Sequence, residues 1–230
     1  MIKFAIAFHR QDGLSHEQCI AHYRDKHAPL CMRTPGMSDY CRRYLQNDVV
    51  HGGRDDHHSG LTVAWFDDPA GLFAHFTVPA YLPIIRPDEM TFSKHEGALL
   101  SLGEERVVVP GGEDAQTRVF RFLRAKADGA EMERFRREVY GPALVAEVPG
   151  DIGLLGYVQS GRVPVDLPFP PEQVFDGLDE FMFASPDAAQ LFVSWEASLA
   201  DRLGAQDFWE GDKGATLISS ATRKIFPVAA

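Results

Sequence analysis

The sequence predicts an α+β protein made of two fused β-α-β-β-α-β modules whose antiparallel sheets pack face to face. Three observations favour this fold class. The chain has 230 residues, enough for two small domains. It carries an internal repeat, and both halves show strand and helix periodicities in the same order.

The internal repeat places identical or similar residues 117 positions apart, without a gap. The matched pairs are Gly60 with Gly177, Leu61 with Leu178, Phe66 with Phe183, Pro69 with Pro186, Phe92 with Trp209, Gly97 with Gly214, Ala98 with Ala215, Leu100 with Leu217 and Arg106 with Arg223. Between the halves lies a small, polar segment rich in glycine, as is typical of a linker. We therefore predict an N-terminal module at 1–110, a linker at 111–116 and a C-terminal module at 117–230.

The elements of the N-terminal module begin with residues 3–9, where apolar side chains alternate with smaller or polar ones as in a half-buried strand. Ser15 and Gln18 have the spacing of a capping box, which begins a helix. Pro29 is expected to end that helix, because the residue before a proline resists the α conformation. The remaining elements are strands at 40–49, 61–66 and 99–109 and a helical, partly irregular stretch at 69–92.

The C-terminal module repeats this order. Its predicted strands lie at 118–125, 154–160, 177–183 and 216–226, and its helices at 130–145 and 187–203. The order is that of the ferredoxin-like motif, a four-stranded antiparallel sheet with both helices on one face. The other face needs a cover, and two such sheets facing each other provide it and leave a cavity between them.

Composition excludes several classes of function. The net charge of −10 argues against nucleic-acid binding, which needs clustered Lys and Arg. There is no apolar run of membrane-spanning length and no secretion signal, so we expect a cytoplasmic protein. Cys19, Cys31 and Cys41 lack C-x-x-C spacing, which predicts neither disulfides nor a thiolate metal site.

No bound cofactor or metal is predicted. The chain has neither a G-x-G-x-x-G fingerprint nor a P-loop, the usual signatures of nucleotide cofactors. His51, Asp55, Asp56, His57 and His58 supply metal-ligating side chains. They lie in a glycine-rich loop that does not hold them in place, so we interpret this segment as a solvated loop.

Two motifs resemble the EthD family of the dimeric α+β barrel superfamily. One is His27-Ala28-Pro29-Leu30, preceded by Tyr23 and by Gly13-Leu14-Ser15 after the first strand; the other is Asp176-Gly177-Leu178 with Phe183 and Pro186, similar to that family's third strand and its exit into the second helix. The resemblance covers nearly the whole chain, as two tandem copies, and implies an intrachain version of the dimeric barrel.

The resemblance also implies a role in the metabolism of small aromatic, terpenoid or polyketide-like molecules. Members of the family are associated with dehydratase-like tailoring and with accessory roles beside oxidative degradation enzymes. Wider relatives include cofactor-free monooxygenases, cyclases and haem enzymes, so the fold does not choose a reaction.

The second copy departs from the first motif at its histidine. Alignment by helix spacing places Val139 opposite His27, whereas alignment of Pro142 on Pro29 places Tyr140 there. Either alignment removes the imidazole, so at most one half carries histidine chemistry of this kind.

His27, Tyr23 and Glu180 are the predicted catalytic residues. His27 sits at a helix end among apolar neighbours, where an imidazole can exchange a proton with a substrate or merely bond a free carbonyl. Tyr23 precedes it by one helical turn and either polarises the substrate or packs in the core. Glu180 interrupts an apolar strand; in an apolar cavity its pKa is expected to rise, and the alternative is a salt bridge at the barrel rim.

The predicted substrate-binding residues are aromatic side chains on strands: Tyr44, Trp65, Phe122 and Tyr157. Half of such a set is expected to face the helices instead of the cavity.

The leading hypothesis is a cofactor-free lyase that eliminates water from a small, apolar, oxygenated substrate. One alternative is an oxidoreductase, either a cofactor-independent oxygenase or a haem protein with His27 or His75 as axial ligand. Another is a non-catalytic binding protein that carries an intermediate for a partner enzyme. The fused pair is expected to be able to dimerise further.

Overall fold

The structure is a computed structural model that describes residues 1–52, 57–211 and 213–226. Its strands are β1 (Ile2–Arg10), β2 (Cys41–Gly52), β3 (His58–Phe66), β4 (Ser93–Val109), β5 (Thr117–Leu123), β6 (Leu154–Arg162), β7 (Val174–Phe175), β8 (Gly177–Phe183) and β9 (Ala215–Phe226). Its α-helices are α1 (His16–His22), α2 (Ala28–Arg33), α3 (Met37–Tyr40), α4 (Pro69–Phe76), α5 (Arg86–Phe92), α6 (Gly129–Phe135), α7 (Gly141–Glu147) and α8 (Pro186–Arg202). Asp55 and Asp56 of the predicted glycine-rich loop lie outside the described residues.

The strands close into an antiparallel barrel. Around the ring they follow the order β1, β3, β2, β9, β5, β8, β6 and β4, and β4 pairs back onto β1. β7 adds to β4 as a short parallel strand. Each half contributes four consecutive strands of the ring, in the orders β4-β1-β3-β2 and β9-β5-β8-β6. The predicted antiparallel α+β barrel is confirmed.

The interior of the barrel is filled by side chains from both halves. Along β1, Ala5 and Ala7 point into the ring while Phe4 and Ile6 point towards the helices, as the period of two requires. The interior cluster comprises Ala5, Ala7, Leu45, Val49, Leu61, Val63, Trp65, Leu99, Phe120, Phe122, Phe175, Leu178, Ala215 and Leu217. The prediction of a cavity between the two sheets is therefore wrong, because this cluster occupies that space.

The first helix begins as predicted but continues past Pro29. Ser15 accepts a hydrogen bond from the Gln18 backbone N–H at 3.2 Å, and the Gln18 side chain accepts one from the Ser15 N–H at 2.8 Å, which completes the capping box. Beyond α1 the chain makes a π-helical turn over Tyr23–His27 and then α2. The helix tolerates Pro29 because the turn is widened there, with the Ala28 N–H bonding the Tyr23 carbonyl five residues back.

A π-helical turn also precedes two other prolines. Pro87 and Pro142 also follow π-helical turns, over Tyr81–Ile85 and Arg136–Tyr140. In both turns the residue just before the proline donates its N–H to the carbonyl five residues back. These wide turns shift the helix axis, which sets where the following side chains meet the sheet.

The second helical segment differs between the halves. In the C-terminal half, α8 is a single helix of 17 residues capped by Ser185. In the N-terminal half the corresponding segment consists of α4, a π-helical turn over Tyr81–Ile85 and α5, and residues 77–80 separate α4 from that turn. Within the described ranges, no helix is both long and apolar enough to span a membrane.

Candidate functional site

A cavity of about 460 Å³ lies on the outer face of the barrel, between the sheet and the helices of the N-terminal half. Its floor is formed by outward-facing strand residues, namely Phe4, Ile6, Tyr44, Thr62 and Ala64. Leu167, Pro168 and Phe169, from the segment between β6 and β7, contribute a wall from the other half of the chain. Most of the lining is apolar, which suits a small organic ligand.

His27 is held in this cavity by contacts on both ring nitrogens. Its Nδ1 lies 2.8 Å from Oδ2 of Asp88, and its Nε2 lies 3.4 Å from Sγ of Cys31. The ring also packs against Phe92, with centroids 5.1 Å apart. Asp88 is fixed in turn by His22, whose Nε2 lies 2.8 Å from the other carboxylate oxygen. His27 is therefore oriented by a carboxylate and lines the cavity.

These contacts determine the charge of His27. Burial alone would lower its pKa, but the hydrogen bond with Asp88 and the neighbouring Cys31 outweigh burial and raise the pKa to about 10. Partial burial would raise the pKa of Asp88, yet His27 and His22 hold it below its usual value. At neutral pH the ring is thus an imidazolium paired with a carboxylate, which makes it a proton donor towards a ligand.

Two further imidazoles line the cavity, those of His75 and His95, and both are neutral where His27 is charged. Burial lowers the pKa of His75 to about 4, and burial together with Arg86 lowers that of His95 to about 4. Both are therefore neutral at neutral pH. Nε2 of His95 lies 2.7 Å from the Arg86 guanidinium, from which it accepts a hydrogen bond. Nδ1 of His75 is buried and has no hydrogen-bond partner within the described part of the chain.

Tyr23 does not line the cavity but contacts residues that do, Thr62 and His27 among them. The hydroxyl groups of Tyr23 and Thr62 lie 2.6 Å apart, and the Tyr23 ring packs edge-on against Phe8 with centroids 5.0 Å apart. Burial raises the pKa of Tyr23. This arrangement favours the packing interpretation of Tyr23 over direct contact with a substrate.

Glu180 lies inside the barrel and not in the cavity. Its side chain is buried and accepts hydrogen bonds from Lys3 and Arg118, two cations that are also buried. Burial alone would raise the pKa of Glu180, but Lys3 and Arg118 outweigh burial and lower the pKa to about 2. The expected rise in its pKa is therefore wrong, and so is the alternative of a rim salt bridge. The ion cluster instead ties β1 of one half to β5 and β8 of the other.

Of the four aromatic residues predicted to bind substrate, only Tyr44 lines the cavity. Trp65 and Phe122 belong to the interior cluster, and Trp65 donates its indole N–H to Glu105 at 2.7 Å. Tyr157 faces the helices of the C-terminal half, where it stacks on Phe181 with centroids 4.4 Å apart. The assignment of Trp65, Phe122 and Tyr157 to the cavity is wrong because strand alternation and the filled interior direct them elsewhere.

The register of the helices resolves the position opposite His27. Gln46 donates to the Tyr23 carbonyl at 2.9 Å, and Gln159 donates to the Arg136 carbonyl at 3.2 Å. Four residues beyond those carbonyls lie His27 and Tyr140. Tyr140, and not the 44%-exposed Val139, therefore occupies the corresponding place.

Polar side chains fill the corresponding space of the C-terminal half. Tyr140 and Arg121 both donate hydrogen bonds to Glu196 of α8. Arg136 donates to Asp179 at 2.7 Å. These side chains are largely buried and pair with one another, so a closed network of polar side chains fills this half.

A single position on the sheet accounts for part of this difference. Ala64, on the cavity floor, pairs with Phe4 and Tyr44. At the matching position of the other half, Phe181 pairs with Val119 and Tyr157. The phenyl ring occupies space that a methyl group leaves open.

Sequence reasoning missed Asp88, Cys31 and His75 as members of the site. The separation of four residues between His27 and Cys31 places both on one helical face, and this signal was present in the sequence. Asp88 lies 61 residues from His27 and no local pattern connects them. His75 was considered only as a metal ligand.

The comparisons with known proteins agree with this fold. Residues 11–96 match the EthD domain. A search of curated proteins finds no match. Among solved structures, the chain is similar to an anthrone oxidase-like protein, at 13% identity and a TM-score of 0.62, over 100% of this chain and 95% of the other.

Two other similar structures come from named organisms. A chlorite dismutase from Candidatus Nitrospira defluvii, in complex with imidazole, matches at 10% identity and a TM-score of 0.56, over 95% of this chain and 91% of that one. A protein from Lactobacillus acidophilus NCFM, provisionally described as a monooxygenase, matches at 9% identity and a TM-score of 0.53, over 97% and 96% of the two chains. At these identities the likeness concerns the fold alone. Residues 11–96 are thus similar to an EthD domain, and the fold of the whole chain is similar to that of these solved structures.

Proposed function

We propose that the cavity binds a small, largely apolar, oxygenated molecule and that the protein is a cofactor-free lyase that eliminates water from it. The observation that carries this proposal is that one apolar cavity is lined by a charged imidazole, that of His27, and a neutral one, that of His75. When neighbouring environments drive the pKa values of two groups apart, one group is suited to be the acid and the other the base.

In the proposed reaction His75 removes a proton from the carbon next to a carbonyl group. The electron pair of that C–H bond forms the new double bond as the neighbouring C–O bond breaks. His27 delivers its proton to the departing hydroxyl, which leaves as water. Asp88 is a positioning residue that stabilises the charged form of His27, and the apolar lining limits the access of bulk water.

A second candidate is a cofactor-independent oxidation of a phenolic substrate. It is supported by the oxidoreductase names of the similar structures, an anthrone oxidase-like protein among them. In that reaction the imidazolium of His27 would stabilise the oxyanion of the substrate, so the same residue serves both hypotheses.

A haem does not fit the lining as well as an organic substrate does. Its iron would need an imidazole nitrogen and its propionates would need cations. His75 offers a buried nitrogen, but Nε2 of His27 contacts Cys31, and among the described lining residues Arg86 alone is a Lys or Arg side chain. We derive no step through a haem.

We also propose that residues 1–110 and 117–230 are tandem copies of one ferredoxin-like module, joined by the linker at 111–116. The shared strand order and the two matching glutamine contacts support this division. In this proposal the C-terminal copy has exchanged its binding cavity for a packed, charged core.

To test the proposal, purified protein is incubated with a panel of aryl β-hydroxy ketones and phenolic anthrones. The products are analysed by mass spectrometry, and oxygen uptake is recorded. Loss of the mass of water from a β-hydroxy ketone, abolished in His27→Gln and His75→Gln, is the expected result. Tyr140→Phe, at the matching place of the other half, serves as the control and should turn over substrate like the wild type. Oxygen uptake without loss of water would favour the oxidation instead. Equal turnover by wild type and His27→Gln would refute both.

A further inference from the structure

We propose that Cys31 is a nucleophilic thiol, activated by the His27–Asp88 pair, which adds to α,β-unsaturated carbonyl compounds bound in the cavity. The inference concerns a residue that the proposed elimination does not use. It rests on the arrangement of three side chains and on the cavity into which the sulfur faces.

The three side chains place a thiol, an imidazolium and an orienting carboxylate in line. Sγ of Cys31 lies 3.4 Å from Nε2 of His27, and Nδ1 of the same ring lies 2.8 Å from Asp88. Cys31 follows His27 by one turn of the same helical segment, so the contact is fixed by the backbone. Such an arrangement activates a thiol, because the imidazolium of His27 stabilises a thiolate beside it by its charge and by a hydrogen bond.

The other two cysteines provide an internal contrast. The thiol of Cys19 donates to the Phe92 carbonyl at 3.3 Å, and that of Cys41 donates to the Arg43 carbonyl at 3.2 Å. Burial raises their pKa values to about 12 and about 11. Carbonyl acceptors favour the protonated thiol, whereas a neighbouring imidazolium favours the thiolate. Cys31 and Cys41 both line the cavity, and Cys31 is the least buried of the three cysteines.

The surroundings of the sulfur select the class of electrophile. Cys31 lies within α2, where backbone N–H groups are engaged by the helix itself and do not form a hole for a tetrahedral oxyanion. The acid next to the sulfur is the imidazolium of His27. This arrangement suits conjugate addition, in which the negative charge develops away from the attacked carbon and is quenched by one proton.

The step balances without a further reactant. The thiolate of Cys31 attacks the β-carbon and forms a C–S bond. The π electrons of the C=C bond move towards the carbonyl group to give an enolate. The imidazolium of His27 donates its proton to the enolate, so that sulfur and hydrogen have been added across the double bond. The neutral ring then regains from solvent the proton that the thiol had released to solvent on ionising. Elimination of water from a β-hydroxy ketone yields an enone of this same class, but the addition does not depend on the protein catalysing that elimination.

The first test measures alkylation of the three thiols by iodoacetamide at neutral pH, with each site followed by peptide mass spectrometry. An ordinary thiol is only a few per cent ionised at neutral pH, so we expect Cys31 to react about tenfold faster than Cys41. His27→Gln should slow the alkylation of Cys31 about tenfold. Asp88→Asn should also slow this alkylation, although its side chain keeps two polar atoms in the places of the carboxylate oxygens that contact His27 and His22. Thermal melting of each variant establishes that it is folded.

The second test uses 2-cyclohexen-1-one as the electrophile. One adduct per chain, mapped to Cys31 and absent from Cys31→Ser, is the expected result. The proposal is refuted if Cys31 and Cys41 react at equal rates in the wild type, if His27→Gln leaves the rate at Cys31 within about twofold, or if the enone adds elsewhere. Because the readout is a protein mass and not turnover, failure of this proposal is distinguishable from failure of the proposed elimination.

Discussion

Replacement of Glu180 by glutamine should destabilise the barrel and remove a defined part of its pH dependence. The carboxylate is the shared partner of two buried cations, Lys3 and Arg118. Removing one member of a buried ion cluster leaves charge without compensation and costs about 3–5 kcal/mol. Lys3 keeps a second partner in Glu105 at 3.0 Å, which favours the lower end of that range.

The pH dependence follows from the pKa of Glu180, which falls from a usual value of 4.5 to about 2 in the folded protein. A group whose pKa is lowered by folding contributes stability above its unfolded pKa and loses it as the pH falls towards the folded pKa. The difference of roughly 2.5 pKa units corresponds to about 3 kcal/mol. The wild type should therefore lose this contribution progressively between pH 4.5 and pH 2.

The assay is urea unfolding monitored by circular dichroism at a series of pH values from 7 down to 3. The free energy of unfolding of Glu180→Gln should lie below that of the wild type at pH 7, and the gap should narrow as the pH falls below 4.5. Asp67→Asn is the matched control, because Asp67 pairs with Arg42 at an exposed site and its loss should change little. A Glu180→Gln protein as stable as the wild type at pH 7, or a gap that is constant down to pH 3, would refute the reasoning.

Three further predictions concern the cavity and its counterpart. His27→Gln should lower the free energy of unfolding by about 2 kcal/mol near pH 6, since it removes a charge-assisted hydrogen bond. Because folding raises the pKa of His27 to about 10, the stabilisation by this residue is complete below pH 6.5 and is lost as the pH rises towards 10. Urea titrations at pH 6, 8 and 10 should therefore show a difference between wild type and variant that shrinks with rising pH. Ala64→Phe should fill the cavity and abolish binding of the fluorescent probe ANS, with unchanged or higher thermal stability; probe binding equal to that of the wild type would contradict it. Phe181→Ala should destabilise the protein by about 3–5 kcal/mol, because this ring is fully buried among other aromatic rings, and a loss below about 1 kcal/mol in urea unfolding would contradict this packing.

The sequence predicted those parts of the fold that depend on local period and on repetition. Residues 177–183 were predicted as a strand, and β8 spans Gly177–Phe183. β7 was missed because Val174–Phe175 is too short to show a period. The continuation of the helix past Pro29 was missed because the propensity rule against proline assumes an α-helical turn, whereas a π-helical turn precedes it.

The candidate site was less predictable because strand alternation assigns side chains to two faces without saying which face holds a void. Trp65 and Glu180 alternate with outward residues as expected, yet both belong to a filled interior. The repeat nevertheless contained the decisive signal, because the offset of 117 residues aligns Ala64 with Phe181. Because alanine is much smaller than phenylalanine, this pair indicates that the sheet face of the N-terminal half leaves room for a cavity.

The same asymmetry explains how one barrel supports both a cavity and a stable core. Packing defects cost stability, and the N-terminal half combines a cavity with a broken second helix. The C-terminal half keeps α8 continuous and fills the matching space with Phe181 and a paired network around Glu196. Because strands β2 and β9 and strands β4 and β6 join the two halves along both edges, the dense half constrains the frame of the open one. The densely packed second half supports the first, in which His27 and Asp88 are held beside the cavity, as the proposed acid role of His27 requires.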